Sequence, residues 1–417
     1  MDHRIGRREF LRRSALAGAG VPFASTLLAA CASEGLPPTN PAPVYPALPI
    51  HSDLVPIASG LPVERGGTLR IFQWKEYLAR AVLDGFEYAH RDRKVRVEVE
   101  SFLHVDEAIA RLREPDADFD VFFPTIDVLA GLVDERMLLP LNHDYLPNLE
   151  NLWPQFRGID EPFYDRGQRY TLPYTVFSSG IGWRRDLVEP ALAPDRSAKP
   201  FDLLWNPGYA GRVGLYDDYL EAMSLALLRD GLVEVRAADD ADLRSAADAL
   251  LDAVRTARVR FTAEGAEEGL PSGEFVAHQA WSGDVLTAPR YAEDPAIGTR
   301  LGYWSPAGPA RIVGCDLTAI CARGRNPVLA HAFLDHLLRF DIAMANFSWN
   351  GYQPPLLGLR PESVADPEFP WHDAVPTNLA GAILTPEAFE TGQMLVGIGP
   401  SERARWLVQW NRVVPSV

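Results

Sequence analysis

A stretch near the middle of the chain, residues 170–183 (YTLPYTVFSSGIGW), reads as one long extended segment with no apolar repeat at helical spacing. It separates two regions that each alternate short apolar runs with amphipathic helices. Before it, residues 69–72 form an apolar strand, and Ala79, Val82, Leu83 and Phe86 recur at helical spacing. Val95, Val97 and Val99 alternate with charged residues as a half-buried strand. Val105, Ala108, Ile109 and Leu112 make a second helix, 119–123 a buried strand, and Val128, Leu129, Leu132 and Val133 a third helix. After it, residues 200–310 repeat the pattern, with an amphipathic helix through Leu243, Ala246, Ala247, Leu250, Leu251 and Val254. A strand over 274–281 leads into a helix over 283–291, residues 317–320 read as a second crossover strand, and 327–347 as helical. Such alternation predicts an α/β fold with helices covering parallel strands, and 417 residues predict two lobes rather than one. The long extended segment suits a crossover between them.

The stretch that most suggests chemistry is 203–221 (LLWNPGYAGRVGLYDDYLE). Pro207, Gly208 and Gly211 close a short helical segment, 212–215 form a strand, and Asp217 and Asp218 open a helix running to about residue 230. Asp218 and Glu221, three apart, share the face of its first turn. Two readings stand. They are a pair of anions facing a cationic ligand, or an N-cap aspartate with a glutamate at N3, the capping box that needs no ligand.

The leader reads as an address rather than as fold. Arg7 and Arg8 in GRREFL resemble a twin-arginine export signal, an apolar run over 14–30 follows, and LAAC ends at Cys31 like a lipoprotein cleavage box. The expectation is an exported protein, in the periplasm or at the outer face of the cytoplasmic membrane, anchored through lipid on Cys31. Eight prolines between Pro37 and Pro62 make 32–67 a semi-extended tether. A net charge of −16 argues against a nucleic-acid partner. No later segment has the roughly 18 uninterrupted apolar residues that span a bilayer. Cys315 and Cys321 sit on an extended run that sets them roughly 20 Å apart, too far for a disulfide, so both are expected to be free buried thiols.

Signatures of catalysis are missing: the chain has no G-x-S-x-G elbow, Walker A loop, H-E-x-x-H or G-x-G-x-x-G after a strand. His331 and His336 do not share a helix face, and the two cysteines lack zinc spacing. No metal or cofactor is expected, and the chain does not read as an enzyme. It does carry aromatics and acids at strand ends, where open α/β sheets bind ligands. Trp74 and Tyr77 follow the first strand, Thr125 and Asp127 the third, and Trp281 with Asp284 a later one. Singly, each aromatic reads more readily as core than as ligand contact, and Asp127 and Asp284 also read as helix caps.

Four segments, 71–77 (IFQWKEY), 172–174 (LPY), 204–211 (LWNPGYAG) and 350–354 (NGYQP), with the helix bearing Leu337, Leu338 and Arg339, carry a family resemblance. From about residue 68 to the C-terminus the chain resembles the bacterial extracellular solute-binding proteins of ABC importers, specifically the spermidine/putrescine-binding group. The resemblance implies a type II periplasmic binding protein fold, two α/β lobes joined by hinge strands with a ligand cleft between. The lobes would be 68–176 with 315–360 and 177–314 with 361–417, after a signal over 1–31 and the tether over 32–67. It also implies ligand contacts: the aromatics Trp74 and Tyr77, the hydroxyl of Thr125, the acidic pair Asp218 and Glu221, Trp281, the hinge-side carboxylate Asp316, Tyr352 and Gln393. Two positions depart from the family. Asp127 stands where a Tyr is frequent, joining the candidate contacts as an extra acid, and Gly314 stands where a Trp is frequent. One wall of the aromatic box is therefore expected to be missing.

For a polyamine the chemistry is coherent. Each ammonium leaves water at a cost that a carboxylate must offset, and Asp218, Glu221 and Asp316 would do so at separated points. Aromatic faces would cover the methylenes and add cation–π contacts of about 0.5–2 kcal/mol each. An amino-acid ligand would call for an Arg clamp on its carboxylate, and none is found. The partners expected are a polyamine, an ABC permease and, through Cys31, the membrane, with the protein itself a monomer. The alternatives are the same fold holding a different small ligand, or a lipoprotein that senses ligand without transport.

Overall fold

The computed structural model describes residues 48, 51–102, 105–157, 165, 167–263, 265–395 and 400–414. The twin-arginine leader, Cys31 and the tether through residue 47 lie outside the described residues. Among the described residues, no helix is long and apolar enough to cross a membrane.

The first region folds as β1 (Thr68–Trp74), α1 (Arg80–Ala89), β2 (Arg96–Phe102), α2 (Val105–Arg113), β3 (Val121–Phe122) and α3 (Ile126–Asp134). Val82, Leu83 and Phe86 give α1 its buried stripe, and β1 pairs in parallel with β2 and β3. β2 departs from the expected half-burial: Val99 is exposed, because β2 ends the sheet and a strand there need not be covered on both faces.

The long segment forms β4 (Thr171–Arg184), and beyond it come β5 (Val213–Tyr216), α4 (Tyr219–Arg229), α5 (Asp240–Thr256), β6 (Arg260–Thr262), α6 (Ala266–Ser272), β7 (Ala277–Trp281), α7 (Ser282–Thr287) and β8 (Leu301–Trp304). Then follow β9 (Ile312–Ile320), α8 (Pro327–Leu337), α9 (Phe340–Asn350), α10 (Pro361–Ala365), α11 (Pro386–Glu390), β10 (Gln393–Met394) and α12 (Pro400–Val413). The helix expected over 327–347 is thus two, broken where Arg339 turns extended (φ −69°, ψ 131°). Cys315 and Cys321 are free and buried.

The strands join in the order β2-β1-β3-β9-β4-β7-β5-β6, with β10 on β9 and β8 on β4. β4 and β9 run antiparallel from Thr171↔Ala319 to Ser179↔Ile312. At one end β9 continues into β3, and at the other β4 continues into β7 and β8. Two strands therefore serve both halves. One core gathers β1, β3, α1 and α8 with Leu172, Val176 and Leu317; a second gathers α4 and α5 with Ile181 and Trp183. A smaller cluster joins Leu270 and Val285 to Met344 and Phe347 of α9. The C-terminal segment is shared out: Leu384, Phe389 and Met394 pack in the first core, Trp406 and Trp410 in the second.

Pro173 has no N–H for the ladder, and the register shifts between it and Thr175, so that Tyr174 is the extra residue of a bulge. The shift sets Thr175 opposite Asp316, Phe177 opposite Gly314 and Ser179 opposite Ile312. Alternate residues share a strand face, so those three β4 side chains form one row.

Candidate ligand-binding site

The row begins at an acid. The Tyr77 hydroxyl donates to Asp316 Oδ2, and Thr175 donates to the same oxygen at 3.1 Å. Tyr77 is held in place through its carbonyl, which accepts from the Tyr174 hydroxyl at 2.8 Å and from Asn350 Nδ2 at 3.2 Å. Thr125 forms an antiparallel bridge with Asp316, and its Oγ1 is buried with no hydrogen-bond partner among the described residues. Tyr77 and Thr125 thus both meet Asp316.

The row ends at a second acid. Glu221 Oε1 accepts from Ser179 Oγ at 2.9 Å and from Trp281 Nε1 at 2.7 Å, and Oε2 accepts from Gln279 Nε2 at 3.1 Å. All three partners are neutral. Asp218 is the N-cap of α4 and accepts from the Glu221 backbone N–H at 2.8 Å. The two readings of this pair therefore divide. Asp218 caps the helix, while the Glu221 side chain turns inward to Ser179, Gln279 and Trp281.

A third acid closes the group. Tyr216 and Tyr352 both donate to Asp284, the latter at 2.7 Å, and the Trp281 N–H donates to the Tyr216 hydroxyl at 2.8 Å. Asp284 is no helix cap. It lies within α7, whose N-cap is Trp281. Relative exposures are 6% for Asp218, 8% for Glu221, 2% for Asp284 and 3% for Asp316. Burial is the main cause that raises Glu221 to about 7, with Asp218 and Asp284 adding to the rise against the Trp281 and Ser179 hydrogen bonds. Burial likewise raises Asp218 to about 6, against the N–H groups of Glu221 and Leu220.

A family model described as bacterial extracellular solute-binding protein matches residues 81–371. The chain belongs to that family. The spermidine/putrescine-binding periplasmic protein 1 of Haemophilus influenzae is 27% identical over 273 residues, 65% of this chain and 70% of that one. The putrescine/agmatine-binding protein of Pseudomonas aeruginosa is 24% identical over 290 residues, 68% and 77% of the two chains. Among solved structures, the spermidine/putrescine ABC transporter substrate-binding protein of Streptococcus pneumoniae matches with a TM-score of 0.68 at 19% identity, covering 84% of this chain and 99% of that one. The fold is the two-lobed type II periplasmic binding protein fold.

In this solute-binding protein the remaining expected contacts are placed unevenly. Trp74 is buried in the first core against Phe102, ring centroids 4.6 Å apart. Gln393 was expected at the ligand, but its amide is engaged by backbone: Nε2 donates to the carbonyls of Val233 (2.7 Å) and Pro309 (2.6 Å), and Oε1 accepts from Val235 N–H (3.1 Å). The side chain of Asp127, in the first turn of α3, lies outside the described residues. Conversely, Thr175, Phe177, Ser179, Tyr216 and Gln279 were not anticipated. The available signal was period two along 175–179, legible once the bulge at Tyr174 is known. The missing aromatic wall also needs correction. A Cβ on Gly314 would come within 2.2 Å of the Phe177 ring, so that space is already filled from the neighbouring strand.

Tyr352 is positioned by a close approach of two backbones. Gly351 has φ 71°, and a Cβ there would lie 2.7 Å from both the Gly283 carbonyl and the Thr287 N–H nitrogen. Gly351→Ala is expected to destabilise the protein by about 2 kcal/mol, from the left-handed conformation and the displaced contact together. Urea unfolding tests this; an unchanged midpoint would mean the loop is not held as described.

Proposed function

We propose that this protein is the substrate-binding component of an ABC importer, which captures a polyamine such as putrescine or spermidine between its lobes and delivers it to a membrane permease. One observation carries the ligand class: Glu221 is a buried carboxylate with only neutral hydrogen-bond partners, and two further buried acids raise its proton affinity. Such a site is costly when empty and ionised, and a cation relieves it. The Phe177, Trp281 and Tyr352 rings, with centroids 5.6 and 6.0 Å from Phe177, add apolar and cation–π surface suited to a methylene chain. The names of the relatives point to the same ligands.

The two lobes would be 68–176 with 315–360 and 177–314 with 361–417, hinged on β4 and β9, save that Leu384, Phe389 and Met394 of the last segment pack with the first. Ligand would draw them together because Asp316 and Tyr77 contact it from one side, and Glu221 and Trp281 from the other. Export by the twin-arginine signal and lipid on Cys31 would hold the protein at the membrane surface, within reach of its permease.

Calorimetric titration of the purified protein with putrescine and spermidine tests the reading, with Asp316→Asn and Asp218→Asn alongside. Saturable binding is expected, weakened about a hundredfold in Asp316→Asn. Asp218→Asn keeps a good N-cap, so it should fold normally and lose affinity only through its charge. No heat with either amine in folded protein would sink the polyamine assignment.

A further inference from the structure

We propose that Phe177, on β4, is the aromatic wall against which the ligand's methylene chain packs, and that Phe177 and Gly314 together set which amine spacing the cleft prefers. The assignment rests on the polyamine reading above. Three observations support it. Phe177 is half-buried and stands between Thr175, which binds Asp316, and Ser179, which binds Glu221, in the row on one face of β4. Its ring meets Trp281 and Tyr352, at centroid distances of 5.6 and 6.0 Å. Its cross-strand partner is Gly314, and a Cβ at that position would come within 2.2 Å of its ζ-carbon.

The last point couples the two positions. The Phe177 ring lies over Gly314, so it keeps this place only while 314 has no side chain, and a larger residue there would have to turn the ring away. Four steps along the strand, about 13 Å in all, lead from Thr175 to Ser179, with Phe177 at the midpoint. An apolar face between two acids suits carbons flanked by ammonium groups, and a ring on β4 rather than β9 stands at the same level but one strand, about 5 Å, nearer β7 and Trp281. The position of that ring therefore divides the distance between Asp316 and Glu221 in its own way. Diamine and triamine should feel the change unequally.

The test is titration of the full chain, F177A, F177L and the exchange variant F177G/G314W with putrescine and spermidine. F177A is expected to bind about tenfold more weakly, the loss of one aromatic contact, and to change the ratio of the two affinities. F177L keeps apolar volume without a ring face and should show the same change in ratio should F177A fold poorly. F177G/G314W should recover affinity to within about threefold, at a ratio differing from wild type. Unchanged affinities and an unchanged ratio in both F177A and F177L overturn the assignment while leaving the polyamine reading standing. An exchange variant as weak as F177A overturns the shared role of position 314. Absence of binding by the wild type overturns both readings.

Discussion

Glu221→Gln is expected to weaken binding of putrescine or spermidine by about a hundredfold or more, a loss near 3 kcal/mol, by removing one charge from a buried pair. Gln retains an acceptor for the Trp281 and Ser179 donors while withdrawing the charge. It also turns a donor toward Gln279 Nε2, so some rearrangement accompanies the loss. Isothermal titration measures the affinity, and melting without ligand shows that the variant is folded. The comparison with Asp218→Asn is informative because the two acids are three residues apart but differently used. One caps a helix N-terminus, the other turns inward to Ser179, Gln279 and Trp281. Equal affinities in Glu221→Gln and wild type would remove Glu221 from the ligand site.

Affinity for amines is expected to fall about tenfold per pH unit below about pH 7, where binding must expel a proton from Glu221. Below about 6 Asp218 adds to the slope. The same proton acts oppositely on the empty protein. Because burial raises its pKa, Glu221 favours the fold most when protonated. Its contribution is full below the unfolded value of 4.5 and lost as pH rises through about 7. Total stability blurs this, since burial lowers His336 to about 4 and charging that imidazole costs stability over the same range. The binding measurement is therefore the sharper one. Titration in buffers of different ionisation enthalpy should count about one proton released near pH 6 and almost none above pH 8. Affinity independent of pH between about 5.5 and 8 would show that Glu221 stays clear of the bound cation.

How much of this was legible beforehand depended on the kind of signal. Helices came through where apolar spacing was regular, as in α1 and α5, and the long crossover came through because nothing in 170–183 repeats at helical spacing. Asp316, Glu221, Trp281 and Tyr352 were named from motif resemblance, and the structure places them in contact with Tyr77, Ser179, Glu221 and Asp284 respectively. What stayed hidden were relations set by register. Pro173 marks an interruption in the ladder, but not which residue is extra, and one residue of shift moves every later side chain to the other face. That is why Thr175, Phe177 and Ser179 were missed while Tyr174, beside them, was noticed. Gln393 failed for another reason: a residue type suited to a ligand is equally suited to three backbone groups, and only the folded neighbourhood decides between them.

The sharing of β4 and β9 also governs the order in which the molecule can be made. β3 needs Ile320 and Ala319 beside it, about 200 residues further along the chain, so its outer edge stays open while the whole second region is synthesised. β4 waits for the same strand. Neither half can finish on the ribosome ahead of the other, and a chain cut before residue 312 would leave two unpaired edges rather than one intact lobe.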